Sequence, residues 1–232
     1  MFKLIGIDGP DLAGKSTLIK SIIESNPDKY ATYTILDQNK DLGKFIRDYL
    51  KKPLNDNSYK VFKHLFLANI SEVYEEILDL LNTKNVILDR HILSTMIYGI
   101  DPRVHELAFF NEVKGVFDAY PIRADYNLYL NINKATFIKR SKSRTDKSKE
   151  GYEKEDVFDK LELNSKRVMS CILRNAADMN ISIINADKTE KELFDSVLHT
   201  IEEIEMIGVH TWFQNKKNTQ IEELLKEEKR EA

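Results

Sequence analysis

FKLIGIDGPDLAGKSTLIKSIIESN, residues 2–26, is the stretch whose reading decides the fold. Residues 2–8 form an apolar run of strand length, and from residue 17 onward Leu18, Ile19, Ile22 and Ile23 recur at helical spacing on one face. Between strand and helix, Gly9, Gly14, Lys15 and Ser16 occupy the fixed points of G-x-x-x-x-G-K-[ST]. Such a turn wraps backbone N–H groups around phosphate oxygens, which needs residues that tolerate unusual dihedrals and close approach. The lysine brings a mobile positive charge to the outer phosphates, and the serine hydroxyl suits Mg²⁺. The dipole of the helix that begins here also favours an anion. Gly9, Ala13, Gly14, Lys15, Ser16 and Thr17 are therefore the candidate residues for holding a nucleoside triphosphate. The bland alternative is a glycine turn that holds none.

Outward from this stretch, apolar, β-branched segments recur at 30–37 (YATYTILD), 85–89 (NVILD), 125–132 (DYNLYLNI) and 181–185 (ISIIN). Helical spacing of apolar residues marks DLGKFIRDYL (41–50), SYKVFKHLFLANISEVYEEILDLL (58–81), EDVFDKLELNSKRVMSCILRNAAD (155–178) and EKELFDSVLHTIEEI (190–204). Strands alternating with amphipathic helices predict an α/β fold, a three-layer sandwich around a five-stranded parallel sheet. In such folds ligands lie beyond the carboxyl ends of the strands, so residues just after each strand carry the functional signal.

The chain of 232 residues is long enough for one substantial domain with an appendage. We read residues 1–206 as the domain and 207–232 as a charged, helical C-terminal tail, in which IGVHTWFQNKKNTQ precedes IEELLKEEKREA. The tail reads either as a solvated, frayed helix or as one packed through Trp212 and Phe213. Lys+Arg 35 against Asp+Glu 38 leaves no global pull toward nucleic acid, so no nucleic-acid partner is expected. The single Cys171 excludes an intrachain disulfide and reads as a small buried residue. Neither a cleaved signal peptide nor a membrane span is expected, which favours a cytoplasmic protein. The histidines have no metal-ligand spacing.

Two further constellations extend the phosphate loop. Asp89 and Arg90 end the NVILD strand, where an acid can hold a Mg²⁺ shell and an arginine can grip a second phosphate. The alternative is an aspartate that caps the next helix beside a solvated arginine. TFIKRSKSRTDKSKEGYEKED, residues 136–156, gathers Lys139, Arg140, Lys142, Arg144, Lys147 and Lys149 in a glycine-bearing, apolar-poor segment. Phosphoryl transfer needs cations brought over the migrating group on a segment that closes, so residues of about 140–153 are expected to form a mobile lid. A solvated charged loop is the alternative.

These residues resemble the nucleoside monophosphate kinases, most closely the thymidylate kinase family, over roughly residues 2–206. GPDLAGKST is similar to that family's P-loop, LGKFIRDYL to its L-G-x-x-I-R segment, HLFLAN to L-L-F-x-A-[DN], DRHILSTMIY to D-R-[YH]-x-x-S-x-x-A-Y, and GYEKEDVF to the end of its lid. The resemblance implies a P-loop kinase type fold, ATP as phosphoryl donor, Mg²⁺ near Ser16 and Asp89, and a homodimer. It implies that Lys15 and the loop amides hold the donor phosphates and that Arg90 takes the acceptor phosphate. Asp11 would lie beside the acceptor sugar, Phe66 would stack on the base, and Tyr98 would exclude a 2'-hydroxyl. On its apolar helix face with Phe62, Leu65 and Ile70, Phe66 by itself reads as core, and only the resemblance gives stacking equal weight. Leu12 stands where some members carry a catalytic arginine, so the resemblance assigns that charge to Arg140 or Arg144. Ile70, Gln38 and Gly151 stand where family arginines are usual, which leaves Thr95 or Gln38 as candidate base readers.

The expected activity is transfer of the γ-phosphoryl group of ATP to a deoxynucleoside monophosphate, most closely dTMP, with altered base choice. Lys15, Arg90, Arg140 and Arg144 would be the catalytic cations. One rival is a deoxynucleoside kinase using Asp37 as general base. The other is a catalytically silent nucleotide-binding regulator with its tail as a docking element.

Overall fold

The computed structural model describes residues 2–50, 58–143 and 155–216. Its strands are β1 (Leu4–Asp8), β2 (Tyr30–Thr34), β3 (Asn85–Asp89), β4 (Tyr126–Asn131) and β5 (Ile181–Asn185). They form one sheet in the order β2–β3–β1–β4–β5, with every neighbouring pair parallel. The strand that feeds the phosphate loop is thus central, and β3 lies beside it in a register that pairs Ile7 with Asp89. Both ends discharge at the same edge of the sheet, where ligands bind in parallel folds.

The helices are α1 (Lys15–Ser25), α2 (Asp41–Leu50), α3 (Ser58–Glu72), α4 (Tyr74–Leu81), α5 (Ile92–Gly99), α6 (Glu106–Ala119), α7 (Lys134–Ser143), α8 (Glu155–Leu173) and α9 (Glu190–Ile207), followed by α10 over residues 209–216. Side chains along the strands alternate between two apolar clusters, as the pleat requires. Leu4, Val86, Leu88 and Tyr129 meet α4, α5, α6 and α8 on one face, whereas Ile5, Ile7, Ile87 and Leu128 meet α1 and α9 on the other. The expected three layers follow from that alternation.

The helical pattern over 58–81 is divided rather than continuous. Val73 takes φ −99°, ψ 5°, and the chain bends there, with Ile70, Val73 and Ile77 all fully buried in one cluster. The bend trades one regular turn for continuous contact with the sheet. Helix α9 begins at a reciprocal cap: Thr189 Oγ1 accepts from Glu192 N–H while the Glu192 carboxylate accepts from Thr189 N–H. Cys171 is buried in the α8 face of the core, and burial pushes its thiol pKa up. Among the described residues no helix is long and apolar enough to cross a membrane.

Within the expected tail, Trp212 and Phe213 of α10 are buried, with exposures of 5% and 8%. They join the α1/α9 cluster, Phe213 packing against Tyr126 and Trp212 donating through Nε1 to Glu203. Residues 217–232 lie outside the described residues. Replacing a buried tryptophan by alanine typically costs about 3–5 kcal/mol, so Trp212→Ala is expected to lower the urea midpoint correspondingly at unchanged m-value. A loss no larger than the roughly 0.5 kcal/mol of an ordinary surface change would mean that α10 contributes nothing to the body.

Candidate active site

A cleft of about 840 Å³ opens at the carboxyl ends of the strands and is lined by the β1–α1 turn, Asp89, Arg90, the first turns of α5 and α9, and residues of α2, α3 and α7. Gly9 has φ 146°, and a Cβ there would lie 2.5 Å from the Leu130 carbonyl oxygen, so neither its dihedral nor its surroundings admit a side chain. Gly14 follows at φ 92° as the N-cap of α1, and no side chain caps the helix. The first-turn amides therefore face the cleft with a positive dipole end and no side-chain acceptor, which is the requirement for an anion. Leu12 also takes a left-handed φ of 66°. For a residue with a Cβ that conformation costs roughly 1–2 kcal/mol, so contacts elsewhere must hold it.

Lys15 is buried and donates through Nζ to the carbonyl oxygens of Gly9, at 2.9 Å, and Pro10, at 2.7 Å. Burial first, and the Arg90 charge second, lower its pKa to about 8. Ser16 Oγ donates to Asp89 Oδ2 at 3.3 Å. These are adjacent hard oxygens beside the phosphate turn, and among the described residues no cluster of His, Cys, Asp and Glu forms a closed metal cage. That donor set fits Mg²⁺, which takes one or two protein oxygens and completes its octahedron with water and substrate phosphates.

Arg90 has a positive φ of 72°, and its N–H donates to the Ile7 carbonyl at 3.0 Å. Its guanidinium pairs with Asp11 and lies over the Tyr98 ring, 5.6 Å from the centroid. Phe66 meets Tyr98 edge to face at 6.5 Å. It is both core and wall: 5% exposed within a small cluster with Leu36, Ile46 and Phe62, yet lining the cleft. The Tyr98 hydroxyl is buried without a hydrogen-bond partner among the described residues, and burial pushes its pKa up. The cleft thus offers a cation against the Tyr98 ring, with Phe66 beyond it, paired to Asp11 of the phosphate turn.

Gln38 lines the cleft, exposed to solvent. Thr95 instead faces the interior, 2% exposed, with Oγ1 at 3.5 Å from the Tyr120 hydroxyl. Ile70 is fully buried among apolar neighbours. Arg140 lines the donor end and spends its guanidinium on three backbone carbonyls, those of Leu12, Ala186 and Lys188. Arg144 and most of the expected lid lie outside the described residues.

Two residues to which the sequence reading gave no role prove important. Asp8 is fully buried, and its Oδ1 accepts from His91 N–H at 3.0 Å, Ser94 N–H at 2.9 Å and Ser94 Oγ at 2.5 Å. Its acidity at the end of a strand was the available signal. Arg47 lines the cleft and donates through Nε to the Leu36 carbonyl; burial, then the Arg90 charge, lower its pKa. It closes the LGKFIR segment, one position after the buried Ile46.

A parallel sheet with a phosphate turn after its central strand and an Asp-Arg pair after the neighbouring strand defines a P-loop nucleotide kinase. The chain belongs to the thymidylate kinase family, whose model matches residues 7–197. It is 29% identical over 214 residues to a thymidylate kinase of Legionella pneumophila strain Paris, covering 87% of this chain and 94% of that one. With a thymidylate kinase of strain Corby it shares 33% identity over 150 residues, 61% of this chain and 69% of the other. The solved thymidylate kinase of Candida albicans has the same fold, with a TM-score of 0.63 at 24% identity, covering 90% of this chain and 93% of that one. The protein is a nucleoside monophosphate kinase, of a family that uses ATP as phosphoryl donor.

The lowered Lys15 pKa predicts a pH dependence. ATP binding favours the ammonium form and raises the pKa, so affinity is full below about 8 and falls as pH rises through that value. Above it the weakening approaches about tenfold per pH unit. Calorimetry in buffers of different ionisation enthalpy should detect proton uptake on ATP binding just above that pH, and Lys15→Met should abolish the uptake.

Proposed function

We propose that the protein transfers the γ-phosphoryl group of ATP to dTMP, with a weaker choice among deoxynucleotide bases than a dedicated arginine reader would impose. The observation that carries this reading is the acceptor wall. Arg90 is held by Asp11 against the Tyr98 ring, which Phe66 meets edge to face, while Ile70 is buried in the core and Thr95 turns to Tyr120. A phosphate cation and a stacking face are therefore present, and among the described residues neither position 70 nor Thr95 offers the cleft a donor for a pyrimidine carbonyl. Loss of such a donor removes about 1–3 kcal/mol of discrimination per unmatched polar group.

In this reading Lys15 and the amides of residues 14–17 cradle the donor phosphates, and Arg90 holds the acceptor phosphate in line with them. Ser16 and Asp89 would hold Mg²⁺, which neutralises charge on the transferring group. An acceptor phosphate oxygen is already an adequate nucleophile, so no side chain has to remove a proton. The rival deoxynucleoside kinase would need Asp37 as base; that carboxylate accepts from Asn39 N–H and Nδ2 and does not line the cleft. The dense cations around the phosphate turn disfavour a silent regulator. Family likeness supports a homodimer acting on small-molecule nucleotides, in the cytoplasm.

Diphosphate formation from dTMP, dUMP, dCMP, dGMP and UMP tests the reading. We expect dUMP or another deoxynucleotide within about tenfold of dTMP in kcat/KM; uracil shares thymine's carbonyls, so dCMP and dGMP are the arms that read the missing donor, and UMP is far poorer because the Tyr98 ring takes the space of a 2'-hydroxyl. A thousandfold preference for dTMP, on the scale that a hydrogen-bonding reader supplies, would place a base reader elsewhere in the wall. Phosphorylation of thymidine but not dTMP would overturn the reading.

A further inference from the structure

The phosphate turn contains one residue whose backbone conformation its own chemistry opposes. Leu12 is left-handed at φ 66°, between Asp11, which pairs with Arg90, and the fully buried Ala13. Its carbonyl oxygen accepts from Arg140 Nη1 at 2.8 Å. The other terminal nitrogen of the same guanidinium donates to the carbonyl oxygens of Ala186, at 2.9 Å, and Lys188, at 3.0 Å. Arg140 therefore joins three places far apart in sequence: the phosphate turn, the turn between β5 and α9, and the last turn of α7. Planar, fixed donors make arginine suited to such a bracket, and a lysine could not reproduce it.

We propose that Arg140 is a positioning residue that clamps Leu12 in its left-handed conformation, so that the amides of residues 14–16 stay aimed at the donor phosphates. Its charge is directed at backbone carbonyls and away from the migrating phosphoryl group. The inference rests on the ATP-binding reading of this turn. It also explains how a leucine occupies a place in the turn that glycine would adopt without cost.

The test is a double-mutant cycle on the full-length chain, with Kd for a non-hydrolysable ATP analogue and steady-state kcat and KM as readouts. Arg140→Ala should weaken analogue binding about tenfold, with KM for ATP rising more than kcat falls. In a Leu12→Gly background the same change should cost less than about threefold, because glycine holds φ > 0 unaided. Arg140→Lys should behave as Arg140→Ala, since a point charge does not span three carbonyls. Should Arg140→Ala fail to fold, the Lys variant alone and with Leu12→Gly provides the same comparison. Additive effects in the cycle overturn the inference, as does a kcat loss of about a hundredfold or more at unchanged analogue affinity. Wild-type protein that binds no ATP analogue would refute the ATP-binding reading itself, an outcome separate from additivity.

Discussion

One buried oxygen, Oδ1 of Asp8, ties the two strand-end turns of the cleft to each other. It ends β1, immediately before the phosphate turn, and accepts from the N–H groups of His91 and Ser94 and the Ser94 hydroxyl. Those donors open α5, so the turn carrying Arg90 is tied to the strand that carries Gly9. Hydrogen bonds to a charged group contribute about 1.5–3 kcal/mol each when well made. This tie adds to the β1–β3 ladder, in register as far as Ile7 and Asp89, and to the Arg90 N–H to Ile7 bond. Between these contacts Arg90 takes its left-handed φ, and its guanidinium meets Asp11 and the Tyr98 ring.

Charge in the cleft is arranged to await phosphate. Lys15, Arg47 and Arg90 line the cleft with Asp11 and Asp89, Arg90 paired directly with Asp11, and Lys15 is held by two carbonyls that a nucleotide would replace. Because Lys15 is buried beside another cation, its ammonium is least stable when the cleft is empty. Anionic phosphates restore the balance. A site built this way orients its dipoles before the reaction begins, which is where electrostatic catalysis gains most.

The acceptor end is a different compromise. Phe66 serves the small apolar cluster beneath α2 and α3 and the cleft wall above it, so it cannot change without loss on both sides. One turn further along α3, Ile70 packs into the main core and Val73 bends the chain. The helix invests that turn in burial, and the wall loses the cation it could have carried.

Much of this was legible in the residues themselves. The strands and most helices follow from local periodicity, and the phosphate turn follows from contiguous residues whose spacing is itself the geometry. Asp89 and Arg90 were readable for the same reason, as neighbours at a strand end. Tertiary structure alone decided which face of α5 turns inward, and so removed Thr95 from the cleft and left Tyr98 in it. It also decided that Arg140 reaches Leu12, 128 positions away, and that Asp8 meets Ser94, 86 positions away. Trp212 and Phe213 found their place against Tyr126 and α9 in the same manner. Local sequence encodes dihedral preference and the period of burial. It does not encode which distant carbonyl a guanidinium will meet, because that is set by how the layers close on one another.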